Sequence, residues 1–378
     1  MKNNFFFIIL CASAVISACT MAGTDKKTSA PVVSIEQCEE ADTLEEDHNT
    51  ADTLVVAMTG DIMMGTTYPA HALPENDGYG LFRDVKDILG RADIAAGNLE
   101  GTLCDTASTT EKEKSEHSYS FRTPVEFAPR LKEAGYDFLC MANNHAYDFG
   151  FEGVRSTEKT LDKLGIKYAG LAGRNECAII ERRGIRFGLC AFGHNSYTLK
   201  HNEHWKAKQI IDSLKLLSDI VIVTFHGGGE GKNFSHLPYG KEEFLNEDRG
   251  NLRHFAHFCI DNGADIVFGH GPHVVRCVEL YKDRFIAYSL GNFCTPYGIS
   301  ISGISGYAPI IEAKTDRKGR FIEGQIHSFI QKRGQGPRRD TTNIVAEQIR
   351  QLTATDIKNG RIAIDANGKI TVKERNAR

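Results

Sequence analysis

The chain has 378 residues, 41% of them hydrophobic and 25% charged, with a formal net charge of −4. That composition fits one large globular domain or two small ones and excludes a fibrous, collagen-like or largely disordered chain. Near-neutrality gives no basic field for general nucleic-acid binding, and the ten cysteines form no CxxC pair, which removes the zinc-ribbon and thioredoxin readings.

The chain opens with the marks of a removable leader. Lys2 precedes an apolar run from Phe5 to Ile16, too short to span a bilayer comfortably. Ile16-Ser17-Ala18-Cys19 resembles a bacterial lipobox, in which signal peptide 1–18 is cut before the cysteine and Cys19 is acylated. An ordinary signal peptide cut nearby is the alternative, and both imply export. Residues 19–53 read as an acidic tether, with nine acidic residues against Lys26 and Lys27 and little to bury. The expected location is the bacterial envelope, through a lipid anchor on the periplasmic or extracellular face.

From Leu54 onward short apolar runs alternate with amphipathic segments, the pattern of an α/β fold. The runs predict strands over 54–58, 94–96, 138–141, 187–191, 220–225, 266–268 and 285–289, and helices over 125–134, 153–164, 206–217 and 249–262. Cys140 and Cys190 fall in strand-like runs, where a cysteine packs as a small hydrophobe. Cys38, Cys104 and Cys177 could pair in an oxidising compartment, but spacing selects no bridge. The main domain is taken as 54–330, followed by an extension, 331–378. The extension begins with Lys332, Arg333, Arg338 and Arg339 around Gly334, Gly336 and Pro337, an exposed basic loop by composition. Contact with an anionic polymer is the sharper alternative there. A short helix from Ile344 and a hairpin over 362–372, turning at Asn367-Gly368, complete the chain.

The chemistry gathers where the strands stop. Their ends carry Gly60-Asp61, Asn98-Leu99-Glu100, Asn143-Asn144-His145 with Asp148, His226 with Glu230, and Gly269-His270-Gly271-Pro272-His273. In open α/β sheets ligands bind beyond the carboxyl ends of the strands, so these residues can meet in one crevice. Carboxylate, imidazole and amide oxygen together suit Mn²⁺, Zn²⁺ or Fe²⁺. The absence of cysteine from these ends argues for a metal site with open positions rather than a closed structural zinc site.

Residues 54 to about 295 resemble the CapA family of capsule-synthesis or poly-γ-glutamate biosynthesis proteins, within the calcineurin-like metallophosphoesterase superfamily. The resemblance rests on those motifs, in family order, together with Met63, Gly150 and Ser289-Leu290-Gly291-Asn292-Phe293. It implies a four-layer α/β sandwich of the metallo-dependent phosphatase type, with one or two divalent metals at the strand ends. Asp61, Asn144, His226, His270 and His273 match metal ligands, and His145 matches the histidine that faces substrate and can protonate a leaving group. Three departures stand out. Met63 occupies a position where the superfamily has a histidine. Asn98 replaces the bridging aspartate, so Glu100 must reach in or one metal site is lost. Two residues rather than one separate His270 from His273.

Further roles follow as expectations. Glu230 is a base or an orienter of the site, and the competing assignment is a solvated loop carboxylate. Asp148 is expected chiefly to cap the helix that follows, with an orienting role as the alternative. Asn98, Asn143 and Asn292 are candidate substrate or supporting residues. Two functions are consistent with the sequence. One is a metal-dependent hydrolase acting on a phosphoester or amide bond of an envelope polymer or its precursor. The other is a non-catalytic component that binds such a polymer or scaffolds capsule synthesis and export proteins.

Overall fold

The first apolar run continues past its expected end into the chemistry-bearing residues, because Thr59-Gly60-Asp61 keeps pairing with neighbours on both sides. The computed structural model describes residues 53–106 and 119–373. The leader, Cys19 and the tether other than Thr53 lie outside the described residues. The chain begins with β1 (Leu54–Ile62), α1 (Lys86–Arg91), β2 (Ile94–Leu99), α2 (Pro129–Ala134), β3 (Phe138–Cys140), α3 (Gly150–Leu164) and β4 (Lys167–Ala169). These four strands run parallel. Next come β5 (Cys177–Arg182), β6 (Ile185–Phe192), α4 (His204–Leu217), β7 (Ile220–His226), α5 (Leu252–Asp261), β8 (Ile266–His270), β9 (Val278–Tyr281) and β10 (Arg284–Ala287). They form a second sheet ordered β9-β10-β8-β7-β6-β5. The chain then returns to the first sheet with β11 (Asn292–Cys294), β12 (Ile310–Thr315) and β13 (Phe321–His327), followed by α6 (Ile344–Asp356), β14 (Ile362–Ile364) and β15 (Lys369–Val372). That sheet is ordered β14-β15-β13-β12-β1-β2-β3-β4, with β11 beside the end of β1.

The pleat explains how the layers stack. Successive side chains of a strand point to opposite faces. Val56 and Met58 of β1 enter a core shared with Phe187, Leu189, Ile222 and Phe268 of the second sheet, while Ala57 joins Ile88, Leu131 and Leu161 from α1, α2 and α3. Ile211 and Leu214 of α4 and Phe255 of α5 pack on the second sheet. The result is helices, sheet, sheet, helices: the expected four-layer sandwich. Parallel strands covered on both faces need continuous apolar runs, and every residue of β7 is buried.

Several boundaries differ from expectation for local reasons. The segment 125–134 is a 3₁₀ turn, Val125–Phe127, followed by α2, whose first residue is Pro129; proline lacks the N–H that a continuous helix would use. Helix α5 starts at Leu252 rather than at 249, because Gly250 has φ 91 and Asn251 caps the helix by accepting the His254 N–H. Arg249 therefore belongs to a hairpin, Glu242–Phe244 with Glu247–Gly250. The basic segment is a hairpin rather than an open loop: Phe329–Lys332 pairs with Gly336–Arg339. Lys332, Arg333 and Arg339 are exposed, but Arg338 is buried and donates to the carbonyls of Gly80 and Leu81. The hairpin of β14 and β15 extends the first sheet beyond β13. Cys104, Cys140 and Cys190 are buried and Cys177 is exposed, and Cys38 lies outside the described residues. Among the described residues no helix is long and apolar enough to cross a membrane.

Candidate metal centre

Register brings the strand ends together. Asp61 lies opposite Asn98 on one side and Asn292 on the other, and His226 lies opposite His270. Close approach at Asp61 depends on Gly60, where a Cβ would collide with the Gly291 carbonyl oxygen that accepts the Asp61 N–H at 2.9 Å. The extra residue between the late histidines is absorbed by a turn. Gly271 has φ 114 and His273 has φ 57, a left-handed conformation unusual outside glycine, and it swings the His273 ring back to Asp61.

Ligand-type atoms of Asp61, Glu100 and His273 lie within 4.8 Å of one another. His273 Nδ1 is 3.1 Å from Asp61 Oδ2, 3.0 Å from Asn292 Oδ1 and 3.7 Å from Glu100 Oε2. His226 Nε2 is 3.1 Å from Glu100 Oε1, and His270 Nδ1 is 3.4 Å from Asp61 Oδ1. Asp61, Glu100, His226 and His270 are fully buried. Glu100 thus does reach the centre. Asn98 spends its amide elsewhere: Nδ2 donates to Asp61 Oδ1 at 2.9 Å and Oδ1 accepts from Asn143 Nδ2 at 2.9 Å. Met63 is buried beside Gly101 and Gly298 and acts as packing.

The electrostatics follow from burying these charges together. Burial, then the neighbouring Asp61 charge, pushes the Glu100 carboxyl up to about 8. Burial would also raise Asp61, but the facing imidazoles of His270 and His273 outweigh it and hold the carboxyl below its ordinary range. Burial opposes the charge on His273, yet Glu100, Asp61 and Glu230 raise it to about 10. His226 is pushed well down by burial. Glu100 Oε2, Asn144 Oδ1, His226 Nδ1 and both ring nitrogens of His270 are buried without a hydrogen-bond partner. Each such atom costs about 1–3 kcal/mol when left unsatisfied. A neutral imidazole keeps one lone-pair nitrogen, so carboxylate and amide oxygens and one nitrogen of each histidine remain as donors to a hard or borderline cation, and the residues fit a divalent metal.

His145 and Asp148 form a second group beside the first. His145 Nδ1 is 2.9 Å from Asp148 Oδ2, which also accepts the Phe121 N–H at 2.7 Å, and the His145 ring lies 4.5 Å from that of Phe121. The expected cap is corrected here: Asp148 makes no capping bond, and α3 begins after Phe149 with no side-chain cap at all. Asn143 joins the two groups. Its Nδ2 also donates to the Leu99 carbonyl, and its Oδ1 accepts the His145 N–H at 3.0 Å. Asn292 fixes the opposite wall, donating to the carbonyls of His273 and Ser305.

Glu230 stands at the rim, its Oε2 3.9 Å from His273 Nε2 and its Oε1 accepting from Arg249 Nη1 at 2.7 Å. Its carboxyl is lowered, because His273 and Arg249 outweigh burial. Arg249 was missed because a helical assignment hid it; the signal available was the turn residue Gly250 directly after it. Arg276 was missed as well. It is fully buried, paired with Glu242 through two bonds of 2.8 and 2.7 Å, and it donates to the Phe234 carbonyl.

Comparison with known proteins gives a consistent picture. The family model described as "Bacterial capsule synthesis protein PGA_cap" matches residues 55–297. The Capsule biosynthesis protein CapA of Bacillus anthracis is 30% identical over 66% of this chain and 62% of its own length. The PGA biosynthesis protein CapA of Bacillus subtilis is 28% identical over 65% of this chain and 64% of its own. The chain thus spans less than two thirds of each of these relatives. A solved calcineurin-like phosphoesterase, YfkN of Bacillus subtilis, covers 80% of this chain and 98% of its own at 14% identity and a TM-score of 0.44. Likeness at that level leaves the site to be read from the side chains present here.

Proposed function

The chain belongs to the bacterial capsule synthesis protein family PGA_cap, and from that membership we propose that it supports assembly of an anionic envelope polymer as a metal-dependent hydrolase. The bond attacked is a phosphoester or an amide of the polymer or its precursor. The observation that carries this reading is the closed group of Asp61, Glu100 and His273 together with buried, unpartnered atoms on Glu100, Asn144, His226 and His270. Those six residues would hold one or two ions of Mn²⁺, Zn²⁺ or Fe²⁺. When bound, the ion supplies Lewis-acid polarisation of the phosphoryl or carbonyl oxygen.

The protein's own side chains do the rest. Asn98 fixes the Asp61 carboxylate, and Asn292 holds the His273 backbone by donating to its carbonyl. Asp148 holds Nδ1 of His145, so proton exchange with substrate runs through Nε2, and His145 protonates the leaving group. Glu230, ionised against Arg249, suits orientation better than proton abstraction. Cys19 would tether the protein to the membrane by an acyl chain, at the envelope face where polymer and export partners are found.

Metal analysis of the purified full chain, followed by assays on phosphoesters and polyglutamyl amides, tests the proposal. The expected result is bound metal and turnover that Asp61→Ala and His145→Ala remove. Stoichiometric metal with no turnover on either bond type would assign the protein to polymer binding instead. Failure to take up added Mn²⁺ or Zn²⁺ would overturn the metal reading.

A further inference from the structure

His226 ends β7, and the loop after it is held by the hairpin 242–250 at successive residues. Gly228 N–H donates to the Arg249 carbonyl at 2.8 Å, Gly229 N–H to Glu242 Oε2 at 3.0 Å, and Glu230 Oε1 accepts from Arg249 Nη1 at 2.7 Å. On the other flank Gly231 N–H donates to the Pro272 carbonyl at 2.9 Å, which ties the loop to the turn that carries His273. Glu230 is thereby pinned with its second oxygen 3.9 Å from His273 Nε2. The opposite nitrogen of that ring, Nδ1, faces Asp61 and Glu100.

This division of one imidazole has a known physical use. A histidine that binds a metal through one nitrogen commonly presents the other N–H to a carboxylate, which sets the ring's tautomer and orientation and strengthens it as a ligand. Glu230 has the right chemistry and the right side of the ring, but a carboxylate that is 23% exposed, at a loop, needs something to aim it. Arg249 is the group that can. Its side chain is 4% exposed, it sits on a paired strand, its guanidinium lies 5.3 Å from the Phe244 ring centre, and its Nε lies 2.9 Å from Glu247 Oε2 as an ion pair without hydrogen-bond geometry. A guanidinium held on several sides is a fixed donor, whereas a lysine would be a flexible point charge.

We infer that Arg249 is a positioning residue, which holds Glu230 at an ion-pair distance of 3.9 Å from Nε2 of His273 so that Nδ1 is presented to the cation. The inference rests on the metal reading above. It is tested by measuring Mn²⁺ affinity, by calorimetry and by the electron paramagnetic resonance of bound Mn²⁺, on the full chain and its variants. Arg249→Met and Glu230→Gln should each weaken Mn²⁺ binding about tenfold. The double variant should be no weaker than Glu230→Gln alone, because Arg249 acts through that carboxylate. Arg249→Lys should recover part of the affinity. Far-UV circular dichroism and melting temperature report folding separately. A lowered melting temperature with unchanged Mn²⁺ affinity in Arg249→Met, or an additive double variant, would reduce Arg249 to a structural strut and overturn the inference. A wild-type chain that binds no Mn²⁺ would instead overturn the metal reading, and this inference with it.

Discussion

Glu100→Gln should separate the cost of the site from its use. In the metal-free protein Glu100 is a fully buried carboxyl pushed up to about 8 from 4.5. A raised acid favours the folded state only while protonated, so this contribution is intact below the unfolded value and is lost as pH rises toward 8. At pH 7.5 the loss is about 4 kcal/mol if the whole shift counts, at about 1.4 kcal/mol per pH unit. Asp61 and His273 readjust when the charge goes, so a gain of about 2–4 kcal/mol is expected for the glutamine variant. With unfolding entropy of about 2.1 cal/mol/K per residue over the 309 described residues, that is roughly 3–6 °C in Tm. Mn²⁺ at one hundred times its Kd should raise the wild-type Tm by about 4 °C, from about 2.7 kcal/mol of linkage, and the variant by far less. Differential scanning calorimetry in EDTA and in Mn²⁺ reads both effects. The variant should be the more stable protein without metal, by a margin that narrows toward pH 5, and should lose most of its lead in Mn²⁺. A metal-free variant no more stable than wild type at pH 7.5, or an equal Mn²⁺ response in both, would refute the reasoning.

Other parts of the fold make separate predictions. Arg276→Met should cost about 3–5 kcal/mol, because it leaves Glu242 buried without its partner, and chemical denaturation should show the loss. Gly60→Ala should unfold the domain or leave it insoluble, since the new Cβ meets backbone that cannot move without parting β1 from β11. His201 is lowered to about 3 by burial and then by His194, so its neutral form favours the fold above about 6.5, and that stability is lost as pH falls from there toward 3. Urea titrations in EDTA should show a slope about 1.4 kcal/mol per pH unit shallower in His201→Gln over pH 5–6.

The sequence exposed the strand cores and the order of the polar strand ends, because parallel strands buried on both faces must be apolar and must stop where polar residues begin. It exposed less where tertiary contacts override local preference. Asp148 looks like a helix cap from its place before α3, yet the nearby imidazole and the Phe121 N–H compete for its carboxylate and win. Arg249 fits a helical pattern, and only the left-handed Gly250 and the Asn251 cap move it to a strand. Arg338 reads as a solvated charge, but its guanidinium closes the carbonyls of Gly80 and Leu81, more than two hundred and fifty residues earlier in the chain. Spacing along the chain carries no information about such partners.

β1 lies in the middle of its sheet, flanked by β2 on one side and by β12 and β11 on the other. β1 is therefore completed by strands made more than two hundred residues after it, and Asp61 waits for Asn292 and His273 before its surroundings exist. Pairings of such long sequence separation form slowly. A ribosome-bound or truncated chain ending before residue 290 would contain Asp61, Glu100, His145, His226, His270 and His273, yet would lack the wall that shuts around them. Uptake of added Mn²⁺ should thus track completion of this wall, with chains that end before residue 290 taking up far less.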